Sequence, residues 1–69
     1  GGTAPAVLNG ANEAAVKLFL DRKIRFDQIS IGVEEALSRH EVYPNPTIED
    51  ILKADNWARD FIKKRFLEN

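Results

Sequence analysis

Apolar residues recur along this chain at helical spacing, in three runs separated by two short polar stretches. The first run extends over about 4–22. Thr3 stands where an N-cap is expected, and Pro5 falls in the first turn, where its missing N–H costs little. The second run covers about 28–39, with Asp27 as its expected N-cap. Phe26 and Ile31 have the spacing of a hydrophobic staple, and Ile29, Val33, Ala36 and Leu37 recur behind them. Gly32 is a weak point, costing about 1 kcal/mol relative to Ala in a helix interior. The third run covers about 48–67. It opens on "TIED", a capping-box pattern with Asp50 in the position of the more usual Glu. Pro44 and Pro46 hold the preceding loop extended, and Lys63, Lys64 and Arg65 suit the negative end of the last helix.

No segment sustains strict alternation, and "KIRF" is at most a short extended piece. The expected fold is all-α: a bundle of three helices, or four if a terminal run breaks, with no sheet. Two places invite a break. One is Asn9-Gly10 in the first run, and the other is Ala54–Asn56 in the third.

Helical wheels sharpen the picture. In the first run, Asn9, Glu13, Lys17 and Asp21 share one side, but so do Val16 and Leu20, and Ala14, Ala15, Leu18 and Phe19 cover most of the rest. A helix apolar nearly all round is buried on several sides. It is either the centre of a small bundle or partly covered by something outside it. No charge precedes Glu13, which favours a contact beyond these residues. In the third run Ile48, Ile51, Leu52, Ala58, Ile62 and Phe66 share a face, while Trp57 and Phe61 lie nearly opposite. Asp55 falls within the apolar face. It either caps a new segment after a kink or meets a partner. Asn9 and Asn12 have the same two readings: they bend or cap the helix, or their amides reach a neighbouring domain. Asn9, Asn12 and Asp55 are therefore the candidate interdomain contacts.

Length bounds the rest. The 69 residues form a single helical domain over 1–69, with 1–3 as the remnant of a linker. A core of this size supplies about 3–5 kcal/mol of net stability. There is no Cys, and a lone His40 cannot build a zinc site. With a Gly-Gly start and no Met, the chain reads as a domain taken from a larger protein, initiator removal being the alternative. A net charge of −1 gives no pull towards nucleic acid or anionic membranes. No apolar run approaches the ~20 residues of a membrane span, and no signal-peptide pattern appears.

Candidate chemistry is sparse. The pairs Glu34-Glu35 and Glu49-Asp50 point about 100° apart on a helix and cannot converge on one atom. Glu35 and Arg39 have the spacing of a surface ion pair. "NGAN" lacks the repeated glycines of a phosphate loop, and the basic cluster Arg59, Lys63, Lys64 and Arg65 is diluted by Asp60 and Glu68. No catalytic, cofactor-binding or metal-binding residue is assigned.

One ordered combination is more specific. "GGTAPAVLNGANEAAVKLFL", then "IRFDQI", then "TIEDILKADNWAR" after a Pro-bearing loop, resembles the C-terminal domain of 1-deoxy-D-xylulose 5-phosphate reductoisomerases. The family pattern is close to G-G-T-x-P-x-V-x-N-A-A-N-E-x-A-V-x-x-F-L followed by I-x-F-x-x-I, with Asp55, Ala58 and Arg59 at family-like positions. Gly10 departs from the usual Ala and should loosen the helix locally. The resemblance implies a homodimeric parent enzyme that uses NADPH and Mg²⁺ or Mn²⁺ to form 2-C-methyl-D-erythritol 4-phosphate in non-mevalonate isoprenoid biosynthesis. It implies a bacterial cytoplasm or a plastid-type organelle. It also implies that this helical domain packs on the catalytic domain of the same chain, binds no cofactor itself and is inactive alone. A free-standing helical interaction module is the alternative.

Overall fold

A computed structural model describes residues 2–68. Three helices follow one another: α1 (Ala4–Leu20), α2 (Asp27–Arg39) and α3 (Ile48–Leu67). Neither terminal run breaks, so there are three helices and no fourth, and no strand occurs among the described residues.

Their register follows from their contacts. Asn9 of α1 meets Asp55 of α3 and Glu13 meets Arg59, so α1 and α3 run parallel. Glu35 of α2 meets Arg65, and Arg39 lies over Phe61, so α2 runs antiparallel to both. α1 packs mainly on α3, less on α2, and α2 and α3 meet least. The helix that was apolar nearly all round is thus the central one. Its core face is made of Val7, Gly10, Ala11, Ala14, Ala15 and Leu18, most of them small. Across the core stand Val33 and Ala36 of α2 and Ala54, Ala58 and Ile62 of α3, with Ile62 fully buried. Small residues on facing helices let the axes approach closely.

Two glycines are consequences of that closeness. A Cβ on Gly10 would lie 2.5 Å from the Asp55 backbone carbonyl oxygen. The helix is continuous through this residue, so Gly10 does not loosen α1. It lets α3 approach. Gly32 plays the same part against the Phe66 ring, where an added Cβ would come within 2.7 Å. The expected propensity cost at Gly32 is offset by the packing it permits.

The ends of the helices differ from expectation in instructive ways. α1 stops at Leu20 rather than near Arg22. Arg22 adopts φ 61°, and the Lys23 N–H returns to the Leu18 carbonyl at 2.8 Å while the Arg22 N–H reaches the Phe19 carbonyl at 3.0 Å. That is a Schellman motif with arginine where glycine is usual, so the sequence carries no stop signal there. At α2, Asp27 is the first helical residue and makes no cap. Gln28 caps instead, its Oε1 accepting from the Arg25 N–H at 2.7 Å, while Asp27 pairs with Arg25 at 3.0 Å. Phe26, the expected staple residue, stacks edge-on on Phe19, with ring centroids 5.5 Å apart. At α3 the capping box forms as read: the Asp50 N–H donates to Thr47 Oγ1 and the Thr47 N–H to Asp50 Oδ2.

Candidate functional site

Two polar constellations link elements distant in sequence. The first lies along the α1–α3 seam. Because the helices are parallel and in close contact at Gly10, the side chains one position either side of the seam meet. Asn9 Nδ2 donates to Asp55 Oδ1 at 3.2 Å. Arg59, one turn on from Asp55, donates from Nε to Asp55 Oδ2 at 2.7 Å and from its outer nitrogen to Glu13 at 2.8 Å. The guanidinium thus bridges a carboxylate on its own helix and one on α1. Asp55 stands unbroken within α3, so its place on an apolar face is explained by a partner and not by a kink.

Charge follows geometry. The hydrogen bond from Arg59 holds the Asp55 carboxyl below its usual range, with burial acting against it and Asn9 adding to it. Arg59 is pushed up in turn, first by Asp55 and then by Glu13. A general base needs an affinity for protons near the working pH, and Asp55 is moved the other way. The seam is a clasp between α1 and α3.

The second constellation ties the start of α1 to the loop after α2. The Thr3 hydroxyl does not cap α1. It is almost fully buried, accepts from the Tyr43 N–H at 3.1 Å, and holds a second hydrogen bond with His40 Nε2 at 2.8 Å. His40 leans on Trp57 with centroids 5.3 Å apart, and Trp57 stacks on Phe61. Gly2, at φ 61°, is pressed against the Tyr43 carbonyl, where a side chain would not fit. Residues 2 and 3, expected as linker, are pinned to the domain. A hydroxyl beside an imidazole has the outline of a nucleophile and its base, but Thr3 is 1% exposed and no substrate atom can reach it. It acts as a latch.

The remaining candidates scatter. Glu35 pairs with Arg65 at 3.0 Å instead of with Arg39, which lies over Phe61. With Arg59 held at the α1 seam and Arg65 at α2, the basic cluster does not form one patch. Among the described residues no three His, Cys, Asp or Glu side chains gather where they could hold a metal ion, and no helix is long and apolar enough to cross a membrane. Of the three candidate interdomain residues, Asn9 and Asp55 use their polar atoms on one another. Asn12 is exposed, and its amide makes no hydrogen bond among the described residues.

A family model described as the DXP reductoisomerase C-terminal domain matches residues 1–61. The chain belongs to that family. It is 53% identical over 64 residues to 1-deoxy-D-xylulose 5-phosphate reductoisomerase of Acetivibrio thermocellus, covering 93% of this chain and 17% of that protein. It is 59% identical over 59 residues to the Synechococcus sp. protein of the same name, covering 86% of this chain and 15% of that one. The Bacillus pumilus protein, also so named, is 51% identical over 63 residues, 91% of this chain and 16% of its own length. The chain therefore spans about a sixth of the length of the curated relatives it matches. No solved structure matches.

What sequence reasoning missed was the Thr3–His40–Tyr43 latch. Its members lie 37 and 40 residues apart, and nothing local in "GGT" or "HEVY" announces the pairing.

Proposed function

We propose that this chain serves as the C-terminal domain of an NADPH-dependent 1-deoxy-D-xylulose 5-phosphate reductoisomerase, and that its part in that enzyme is to pack on and support the catalytic domain. The observation that carries this is the amount of apolar surface left uncovered. Among the described residues eleven large hydrophobic side chains are exposed, including Ile48 at 78%, Leu20 at 70% and Leu52 at 60%. Single exposed apolar residues are ordinary, but clusters of them mark a contact surface. Family membership and the sixth-part coverage of the relatives support the same conclusion.

In this proposal NADPH and the divalent cation, Mg²⁺ or Mn²⁺, belong to the rest of the parent, a homodimer of the bacterial cytoplasm or a plastid-type organelle. The enzyme chemistry takes place there, and the helical domain is inactive alone. Intact mass of the protein as isolated from its source tests it. A species about six times heavier than the 7.8 kDa chain, as the relatives' lengths require, is expected. A native mass of 7.8 kDa would overturn the proposal in favour of a free-standing helical interaction module. Titration provides a second check: NADPH or Mg²⁺ added to the 69-residue chain should leave its amide chemical shifts unmoved at every cluster of residues.

A further inference from the structure

We propose that the outer face of α1, carried by Leu8, Asn12, Val16 and Leu20, is the surface against which the catalytic domain of the parent chain sits. This rests on the proposed function above and assigns it a face.

Leu8, Asn12, Val16 and Leu20 recur every fourth residue, so they form one slowly turning stripe on the side of α1 away from Val7, Ala11, Ala14 and Leu18. Leu8 is 49% exposed, Leu20 and Asn12 are open, and Val16 is half-buried. A shallow hollow of about 390 Å³ runs along Asn12, Val16 and Leu20, bordered by Glu13, Lys17 and Asp21. Every charge on α1 lies beside this stripe and none on it. Those charges are already engaged: Glu13 with Arg59, and Lys17 with Asp21 at 3.1 Å. The outward side of α2 shows how a solvated helix in this same domain looks, with Asp27, Ser30, Glu34 and Ser38 all exposed.

The identity of the occupant follows from chain length and chemistry. The relatives carry about five-sixths of their length outside this domain, and that mass is held at high effective concentration by the shared backbone. An apolar stripe that carries the open amide of Asn12 and is bordered by ion-paired charges suits an apolar surface that offers a hydrogen-bonding group to Asn12. Asn9 Nδ2 and Asp55 Oδ1 are already paired with one another inside the domain, so Asn12 is the amide this face offers.

Thiol labelling of the full-length parent tests the face directly, since this domain contains no cysteine of its own. Asn12→Cys and Leu20→Cys report the stripe, Glu34→Cys reports the outer side of α2, and Leu52→Cys reports the exposed flank of α3. Rates of modification are read by mass after digestion and normalised to those in urea. Positions 12 and 20 should react at least tenfold more slowly than position 34 at every protein concentration. Equal rates at 12, 20 and 34 would sink the assignment. Protection at 52 with 12 and 20 open would move docking to another face, leaving the functional proposal intact and this inference wrong. Protection at 12 and 20 that appears only as concentration rises would give the face to a second copy and overturn it as well. A native mass of 7.8 kDa would remove the parent, and with it both proposals.

Discussion

The two sides of α1 have been put to opposite uses. On the side facing α3, Asn9 and Glu13 carry the polar atoms, and each finds a partner across the seam. Beside them, Leu8, Asn12, Val16 and Leu20 carry no charge, and Leu8, Asn12 and Leu20 stand open. The polar groups Asn9 and Glu13 serve internal register, and the docking proposed above would use the stripe beside them. Specific polar pairs fix how two parallel helices align, and they do it where Gly10 has already brought the backbones together.

That contrast can be broken from the seam side first. Gly10→Val would drive a branched side chain into the Asp55 carbonyl, and over-packing of this kind costs about 2–3 kcal/mol. For a domain of this size that corresponds to a fall in Tm of roughly 10–20 °C by calorimetry or circular dichroism. An unchanged Tm would show that the helices are not in close contact at this point. Next comes the clasp. Asp55→Asn keeps the shape and removes the charge, and at neutral pH it should cost about 1 kcal/mol after allowing for the partial exposure of both partners. The sign with pH is fixed by direction. Asp55 is lowered from 3.8 in the folded state, so its contribution is full above that value. It is lost as pH falls through the lower, folded value. The stability gap between Asp55→Asn and the wild type should therefore close in acid. A gap that widened on acidification would contradict the clasp.

Smaller effects sharpen the picture. Arg22→Gly relieves a left-handed arginine at the end of α1 and should raise stability by about 0.5–1 kcal/mol, seen as a higher urea midpoint. Glu13→Gln removes one exposed arm of the Arg59 bridge and should cost less than about 0.5 kcal/mol, a difference that salt erases. Smallest of all, Leu20→Gln on the outer stripe should shift the Tm of the 69-residue chain by no more than about 2 °C. A large loss there would mean that Leu20 belongs to the core.

The all-helical fold, the approximate spans of the helices and the capping box at Thr47–Asp50 were readable, because each depends on local pattern. The centrality of α1 was readable too, since only a central helix or a covered one is apolar nearly all round. The identity of Asp55's partner was not. A wheel shows that a carboxylate lies on an apolar face; it cannot show that an asparagine 46 residues earlier is waiting for it. Gly10 was misjudged for a related reason. Propensity scores a glycine within its own helix, whereas its use here is decided by the backbone of another. Arg22 ends α1 without the residue that ordinarily signals an end, so the boundary was placed two residues late. Thr3 matched the composition of an N-cap, but its hydroxyl was claimed by the distant partners His40 and Tyr43.

The parallel pairing of the first and last helices has a consequence for biosynthesis. The face that buries Val7, Ala11 and Ala14 finds its main partner in α3, 46 residues downstream at the Asn9–Asp55 contact. While the chain is being made, α1 and α2 emerge as a hairpin that covers only part of that face. The small-residue seam stays open to chaperones, or to the wrong neighbour, until the ribosome has delivered Ala54, Ala58 and Ile62. Burial of the α1 core face is therefore complete only once α3 is present, and mutations that weaken α3 should lower the yield of folded protein.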